Sequence, residues 1–369
     1  MLFTIIHRDP KTMVRIQAPT LYNFSAATSV MKRSIVCFIF LQSMFFSFAK
    51  AQAPRGAAVE ISPEDAKAMS AVKGKIDAQI IWSSSRLGNH KIFMMNSDGS
   101  DVRAITKGNK TDWYPRFSPD GRHIIFCRSK MDWTSEMNAN NAEMWDTWII
   151  DSTGANERLL IPNSTWATWD GNGNSIIFSR GTKVFLYDPE SGRESIICNS
   201  ETDLEDAAIL QTPHLSPDGN YIAMTLRGKM RETGIYDRPH KVWQKINEGC
   251  QINWFPSGDK VYLVHPSGNG GSRILAQAVK NGKLIDPQIP VDSSVLIDLP
   301  GRRSHEYFPQ VSADSKWLVW AATQRGHDHD IADYEIYLWK IDSPPEEAVR
   351  LTFHSGNDRW PDIFIKHKQ

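Results

Sequence analysis

Cysteine is scarce, with four in 369 residues. Cys37 falls in an apolar run near the N-terminus, which leaves Cys127, Cys198 and Cys250. An odd, sparse set makes no disulfide framework, even in an oxidising compartment. Cys127 and Cys198 stand in apolar strand patterns and read as small buried thiols. Excess charge is missing as well: Lys and Arg together number 42, as do Asp and Glu. That balance gives no electrostatic case for a nucleic-acid partner. Long hydrophobic runs are absent too. The strongest, Ile35 to Phe48, is too short for a comfortable membrane span.

That run reads instead as the core of a secretory signal. Met31 opens it, Lys32 and Arg33 supply the basic start, and Ala49-Lys50-Ala51 is a small-x-small cleavage site. No cysteine stands at the cleavage point, which argues against a lipid anchor. Residues 1–30 show no period and no caps, and read as an over-extended start. The expected organisation is therefore 1–30 extension, 31–51 signal, 52–76 linker and short helix, and 77–369 one domain. In the linker, Ser62-Pro63-Glu64-Asp65 is a helix start, with Ser62 as cap, and Gly74 is the stop.

The domain is built on a repeat. Tyr114 to Phe126 reads YPRFSPDGRHIIF: strand, tight turn, strand. Variants follow at Ala167–Phe178, Thr212–Met224, Asn253–Leu263 and Phe308–Trp320, and Trp360–Ile365 is a copy that stops before its turn. Taking Phe117 as marker, the equivalents are Trp169, Leu215, Trp254, Val311 and Ile363, at intervals of 52, 46, 39, 57 and 52 residues. Several short strands per repeat at this period predict an all-β fold, a β-propeller. Six first strands and six second strands give six four-stranded antiparallel blades. The opening stretch, Gln79–Ser84, is a second strand with no first; the closing Trp360–Ile365 is a first with no second. The two ends complete one blade and remove the open edges of a linear array.

The SPDG turns at Ser118–Gly121 and Ser216–Gly219, each followed by an apolar strand, and the later IYLWK-like and RLT-like strands resemble the TolB-type propeller repeat. The resemblance runs from about Gln79 to Ile365. It implies a six-bladed, WD-repeat-like propeller. The α/β domain that precedes the propeller in TolB has no counterpart in the short stretch before Gln79. There is also no G-x-S-x-G elbow, so the propeller-bearing serine peptidases are not matched.

Propeller geometry sends the long loops to one face: Arg128–Met144, Asn199–Gln211, Arg227–Gly234, Pro287–Phe308 and Gln324–Tyr334. The densest polar group there is His327, Asp328, His329 and Asp330, with Asp333 following. Such residues suit a divalent metal ion such as Zn²⁺ or Mn²⁺, or serve as caps of a solvated loop. His305 and Glu306 lie in a second loop of that face. Acid-aromatic pairs recur just before first strands, at Asp112-Trp113-Tyr114, Glu306-Tyr307 and Asp358-Arg359-Trp360. They form either a channel rim that grips a ligand, through Asp112, Trp113, His305, Glu306, Asp358 and Arg359, or blade-to-blade packing. The loop Met131–Met144 reads as a partner-binding loop or a lid.

The function expected is a secreted or periplasmic binding module, monomeric, holding an envelope protein, a peptide or a glycan on its channel face. The alternative is a metal-dependent, lyase-like carbohydrate-active enzyme on the same face. Oligogalacturonate lyases share this propeller type and use core histidines around a metal. Only His214 and His305 stand in comparable places, so no catalytic residue carries over.

Overall fold

The computed structural model describes residues 56–366, apart from 325 and 327. The secretory signal and His327 lie outside the described residues.

Each SPDG unit folds as a closed hydrogen-bonded turn. Gly121 N–H donates to the Ser118 carbonyl (2.8 Å), and Asp120 Oδ1 accepts from Ser118 Oγ (2.6 Å) and from Arg122 N–H (3.0 Å). Gly121 has φ +70°, and a Cβ there would meet the Phe364 ring at 2.3 Å, so glycine is required twice over. Ser216–Gly219 repeats the pattern. Strands paired by these turns assemble into six antiparallel sheets.

Their innermost strands, in ring order, are Asp358–Ile365 (blade I), Asp112–Phe117 (II), Thr165–Trp169 (III), Ile209–Leu215 (IV), Cys250–Trp254 (V) and His305–Val311 (VI). The ring closes in blade I, where the C-terminal strand pairs antiparallel with Ala78–Ser84; Ile80 faces Ile363 and Gln79 faces Phe364. Lys91–Asn96 and Arg103–Ala104 complete that blade. Blade V gains a fifth strand, Val295–Ile297, against Arg273–Lys280. Apolar side chains of adjacent blades interleave as separate clusters around the ring, for example Ile81, Ile92 and Met94 with Phe117, Ile124 and Phe126.

A helix, Pro63–Val72, precedes the ring; Asp65 N–H donates to Ser62 Oγ (3.1 Å) at its cap. No helix among the described residues is long and apolar enough to cross a membrane.

Two expectations change. The segment 227–234 is not a long loop: strands Tyr221–Arg227 and Arg231–Asp237 pair along their full length, joined by residues 228–230. The buried Thr225 and Thr233 hydroxyls, 3.2 Å apart, satisfy each other and let the ladder run on to its end. The acid-aromatic segments are not loops before the first strands but the upper parts of those strands.

Candidate functional site

Each inner strand carries one bulge at the same height. Register shifts fall between Trp113 and Arg116, Thr165 and Thr168, Gln211 and His214, Cys250 and Asn253, and Tyr307 and Gln310. In blade I the shift falls opposite Ile81–Ser83. Within each bulge one non-glycine residue is left-handed: Trp360 (φ 52°), Tyr114 (54°), Trp166 (59°), Thr212 (48°), Gln251 (58°) and Phe308 (61°). Large side chains rarely adopt this backbone, which costs about 1–3 kcal/mol per residue. Six equivalent strained positions are held by the ring as a whole, and such strain concentrates at working sites. The sequence signal is a proline directly after the residue, at Pro115, Pro213, Pro309 and Pro361. Proline has no N–H to give a ladder, so within a strand it marks an edge or a bulge.

The bulges deliver an aromatic tier to the axis. Trp360 and Trp166 come from blades that are not neighbours, yet their ring centroids lie 5.4 Å apart. Tyr114 sits 4.9 Å from Trp360 and 5.3 Å from Trp166, both edge-to-face. Phe308 approaches Trp360 at 4.2 Å. Edge-to-face packing of this kind adds about 0.5–1.5 kcal/mol per pair beyond area burial.

Over this tier folds the loop after His123–Ser129. Its short 3-10 turn, Glu136–Asn138, is capped by Ser135. Glu136 is almost wholly buried and accepts from Trp360 Nε1 (2.8 Å), Arg359 Nη1 (2.9 Å) and His329 Nδ1 (2.7 Å). Asp330 takes Arg359 Nη1 (3.1 Å), Glu136 N–H (3.2 Å) and the Ser135 hydroxyl. Two loops from different blades are thus tied to the closing strand by charge-assisted bonds.

Beside Glu136 a cavity of about 580 Å³ opens on the long-loop face. Trp166, Trp360 and Tyr307 supply aromatic surface, and Gln211, Thr212 and Gln251 supply polar groups from the bulges. Arg227 and Arg231 stand at its rim, both exposed. Arg227 Nε donates to Gln211 Oε1 (2.9 Å), and no ion pair of either arginine with a carboxylate is found among the described residues. Aromatic faces, amides and two arginines without a carboxylate partner among the described residues form a surface for an extended ligand bearing negative or π-rich groups.

The residues singled out in sequence divide into two sets. Asp328 and His329 line the cavity, and Asp330 lies behind it. Arg359, fully buried, reaches the site only through Glu136, Asp330 and the His329 carbonyl. Trp113 is sealed beneath Trp166, centroids 4.6 Å apart. Asp112 is buried against Lys91 (3.0 Å) and Arg128 (2.6 Å), and Asp358 against Arg86 (2.7 Å). His305 packs on Tyr307 at 5.2 Å. Glu306 accepts from Leu299 N–H at 2.8 Å. Asp112, Trp113, Glu306, Asp358 and Arg359 are each wholly buried and therefore present no surface to a ligand in this conformation. Among the described residues no group of three or more His, Cys, Asp or Glu side chains is placed to hold a metal ion. Sequence reading missed Glu136, Trp166, Gln211, Arg227 and Arg231.

Burial pushes the Glu306 carboxyl up to about 9, so it is neutral at pH 7 when folded and ionised when unfolded. A raised carboxyl stabilises the fold fully below the unfolded value, about 4.3, and that contribution is lost as pH rises toward 9. Glu306→Gln keeps the neutral shape and removes the titration. Its melting temperature should exceed that of the parent at pH 8 and match it at pH 4, as thermal scans across pH would show; a parallel shift at both would contradict the burial account.

No family model matches the chain. Over 113 residues it is 26% identical to an uncharacterised protein of Agrobacterium fabrum, a match covering 27% of this chain and 36% of that one. A stretch of 56 residues is 34% identical to the Tol-Pal system protein TolB of Geobacter sulfurreducens, covering 15% and 13% respectively. The chain thus spans about a third or less of the curated relatives it matches. The crystal structure of TolB from Acinetobacter baumannii superposes with a TM-score of 0.55 at 16% identity, covering 79% of this chain and 67% of that one. Blade number, ring closure and this superposition agree: in fold, the chain is a TolB-like six-bladed β-propeller.

Proposed function

We propose that this chain is an exported binding protein, secreted or periplasmic and monomeric, that holds a protein segment, a peptide or a glycan in the channel-face cavity. One observation carries the reading: six strained bulges converge on an aromatic floor, and two arginines without a carboxylate partner among the described residues stand over it. Strain is retained where it positions groups for a ligand. Arginine and aromatic anchors dominate binding energy at such sites. Peptide and glycan arrays identify the ligand class, and titration calorimetry on the best hit then tests the site. The double variant Arg227→Ala/Arg231→Ala should bind at least about tenfold more weakly, a loss of about 1.4 kcal/mol. Both side chains are exposed, so the fold stays intact. Unchanged affinity in the folded variant contradicts the reading.

A second reading, a metal-dependent, lyase-like carbohydrate-active enzyme, is favoured by Asp328 and His329 in the cavity wall. It requires a Mn²⁺ or Zn²⁺ thermal shift that His329→Ala abolishes. No shift with either ion sends it down.

A further inference from the structure

The cavity gathers hydrogen-bond donors in one corner. Arg227 and Arg231 are opposite partners in the last pair of the blade IV hairpin, so their side chains leave the same face. Both line the cavity, as do Thr212 and Gln251 from the bulges of blades IV and V. Arg227 is fixed from behind: Asn140 Oδ1 accepts from Gln211 Nε2, and Gln211 Oε1 accepts from Arg227 Nε (2.9 Å). Its Nη1 and Nη2 have no hydrogen bond among the described residues, and the Arg231 guanidinium has neither a hydrogen bond nor an ion pair there.

Thr212 is the pointer to a ligand. It lines the cavity and is 3% exposed, yet its Oγ1 has no hydrogen-bond partner among the described residues. A buried hydroxyl without a partner is costly, and a ligand atom in the cavity would complete it. Gln251 gives its Oε1 to Phe308 N–H (2.7 Å), so its NH₂ group remains as a donor. Acids beside the hairpin are spent: Asp206 on Lys229 (2.8 Å) and Glu232 on the Trp243 indole (3.0 Å). Glu136 and Asp328 reach the cavity from the loops of blades II and VI instead. Arg359 compensates Glu136, and Asp328 Oδ1 accepts Asp330 N–H (2.9 Å). The Cys250 thiol, also in the cavity wall, registers the field of the corner. Burial pushes it up, and the charges that act on it are Arg231 and Arg227, with no carboxylate among them. The corner is thus rich in donors and positive. A carboxylate brings two oxygens to it, whereas a phosphoryl group brings three and carries a charge of about −1.5 to −2 near pH 7, which matches two guanidinium groups.

We propose that this corner is a subsite for a phosphoryl group, a phosphomonoester on the ligand, clamped by Arg227 and Arg231 with Thr212 and Gln251 donating beside them. The inference rests on the cavity being the ligand site, and it names the group that anchors there. Trp166, Trp360 and Tyr307 then offer their aromatic surface to the rest of the ligand.

The test titrates the intact protein calorimetrically with two probes, phenyl phosphate and benzoate, which share a ring and differ in the charged group. At equal ionic strength phenyl phosphate should bind at least about tenfold more tightly. Arg231→Gln should remove that preference and keep the parent melting temperature, because the side chain is exposed. Thr212→Ser should retain the preference, and Thr212→Ala should weaken it about threefold. Equal affinity for the two probes, no binding of either, or a preference undiminished by Arg231→Gln overturns the proposal. Phenyl sulfate bound as tightly as phenyl phosphate does so too, since the second charge would then not be read. An array-selected ligand that carries no phosphate, yet loses affinity in Arg227→Ala/Arg231→Ala, sinks this inference alone and leaves the binding reading standing.

Discussion

Replacing Glu136 with alanine is expected to lower the melting temperature by about 6 °C. The carboxylate is almost wholly buried and receives three donors: the Arg359 guanidinium, the Trp360 indole and the His329 ring. Its removal leaves Arg359, with no exposure, with Asp330 as its one carboxylate among the described residues and the His329 carbonyl beside it, while Arg359 Nε and Nη2 already lack partners among the described residues. Breaking a buried ion pair by deleting one partner costs about 3–5 kcal/mol. Asp330 retains part of the compensation, so the lower end applies. At about 2 °C per kcal/mol for a domain of this size, the shift follows. Glu136→Gln keeps an acceptor for the indole and should lose about half as much. Scanning calorimetry on the three proteins decides: a variant within 1 °C of the parent, on that same scale of about 2 °C per kcal/mol, would mean that the loop does not anchor the channel mouth. The loop after His123–Ser129 is thus less a lid than a fixed strut, and the cavity beside it is pre-formed rather than assembled around a ligand.

The second large effect concerns ring closure. Ile363 is 7% exposed and faces Ile80 across the pairing between the chain's last strand and Ala78–Ser84. Ile363→Asp removes a buried side chain and puts a carboxylate in its place. Lost packing alone costs about 2–5 kcal/mol, and an unpaired buried charge adds to it. Against a total stability of about 5–15 kcal/mol, the variant should unfold cooperatively at least about 10 °C earlier or fail to accumulate. Ile196→Asp is the control: this residue lies on an outer strand and is 54% exposed, so its cost should stay within about 0.5 kcal/mol. Equal behaviour of the two variants would refute closure as the element that holds the ring.

The blades were legible because their information is local. Pro-Asp-Gly fixes a turn by backbone chemistry, and the apolar strands beside it alternate within a few residues. Even the closure was readable, as an inner strand missing at one end and spare at the other. The site was legible only in part. Tyr114, Thr212, Phe308 and Trp360 carry a proline flag, whereas Trp166 and Gln251 precede Ala167 and Ile252 and carry none. The acid-aromatic pairs recur visibly, but recurrence reports the blade joints that Asp112, Glu306 and Asp358 stabilise. Glu136 sits mid-loop, and its partners Arg359 and His329 lie 223 and 193 residues away. No local pattern announces such a meeting. Arg227 and Arg231 were hidden for the opposite reason: they face each other across a short hairpin that reads in sequence as a loop.

The account rests on the long-loop face of the channel being where a ligand is held. Hydrogen–deuterium exchange with the array-selected ligand tests this directly. Protection should appear at the inner-strand bulges 211–213 and 250–252 and in the Glu136 loop, with the SPDG turns at Ser118–Gly121 and Ser216–Gly219 unchanged. Protection confined to those turns, with the bulges exchanging as in the free protein, would contradict it.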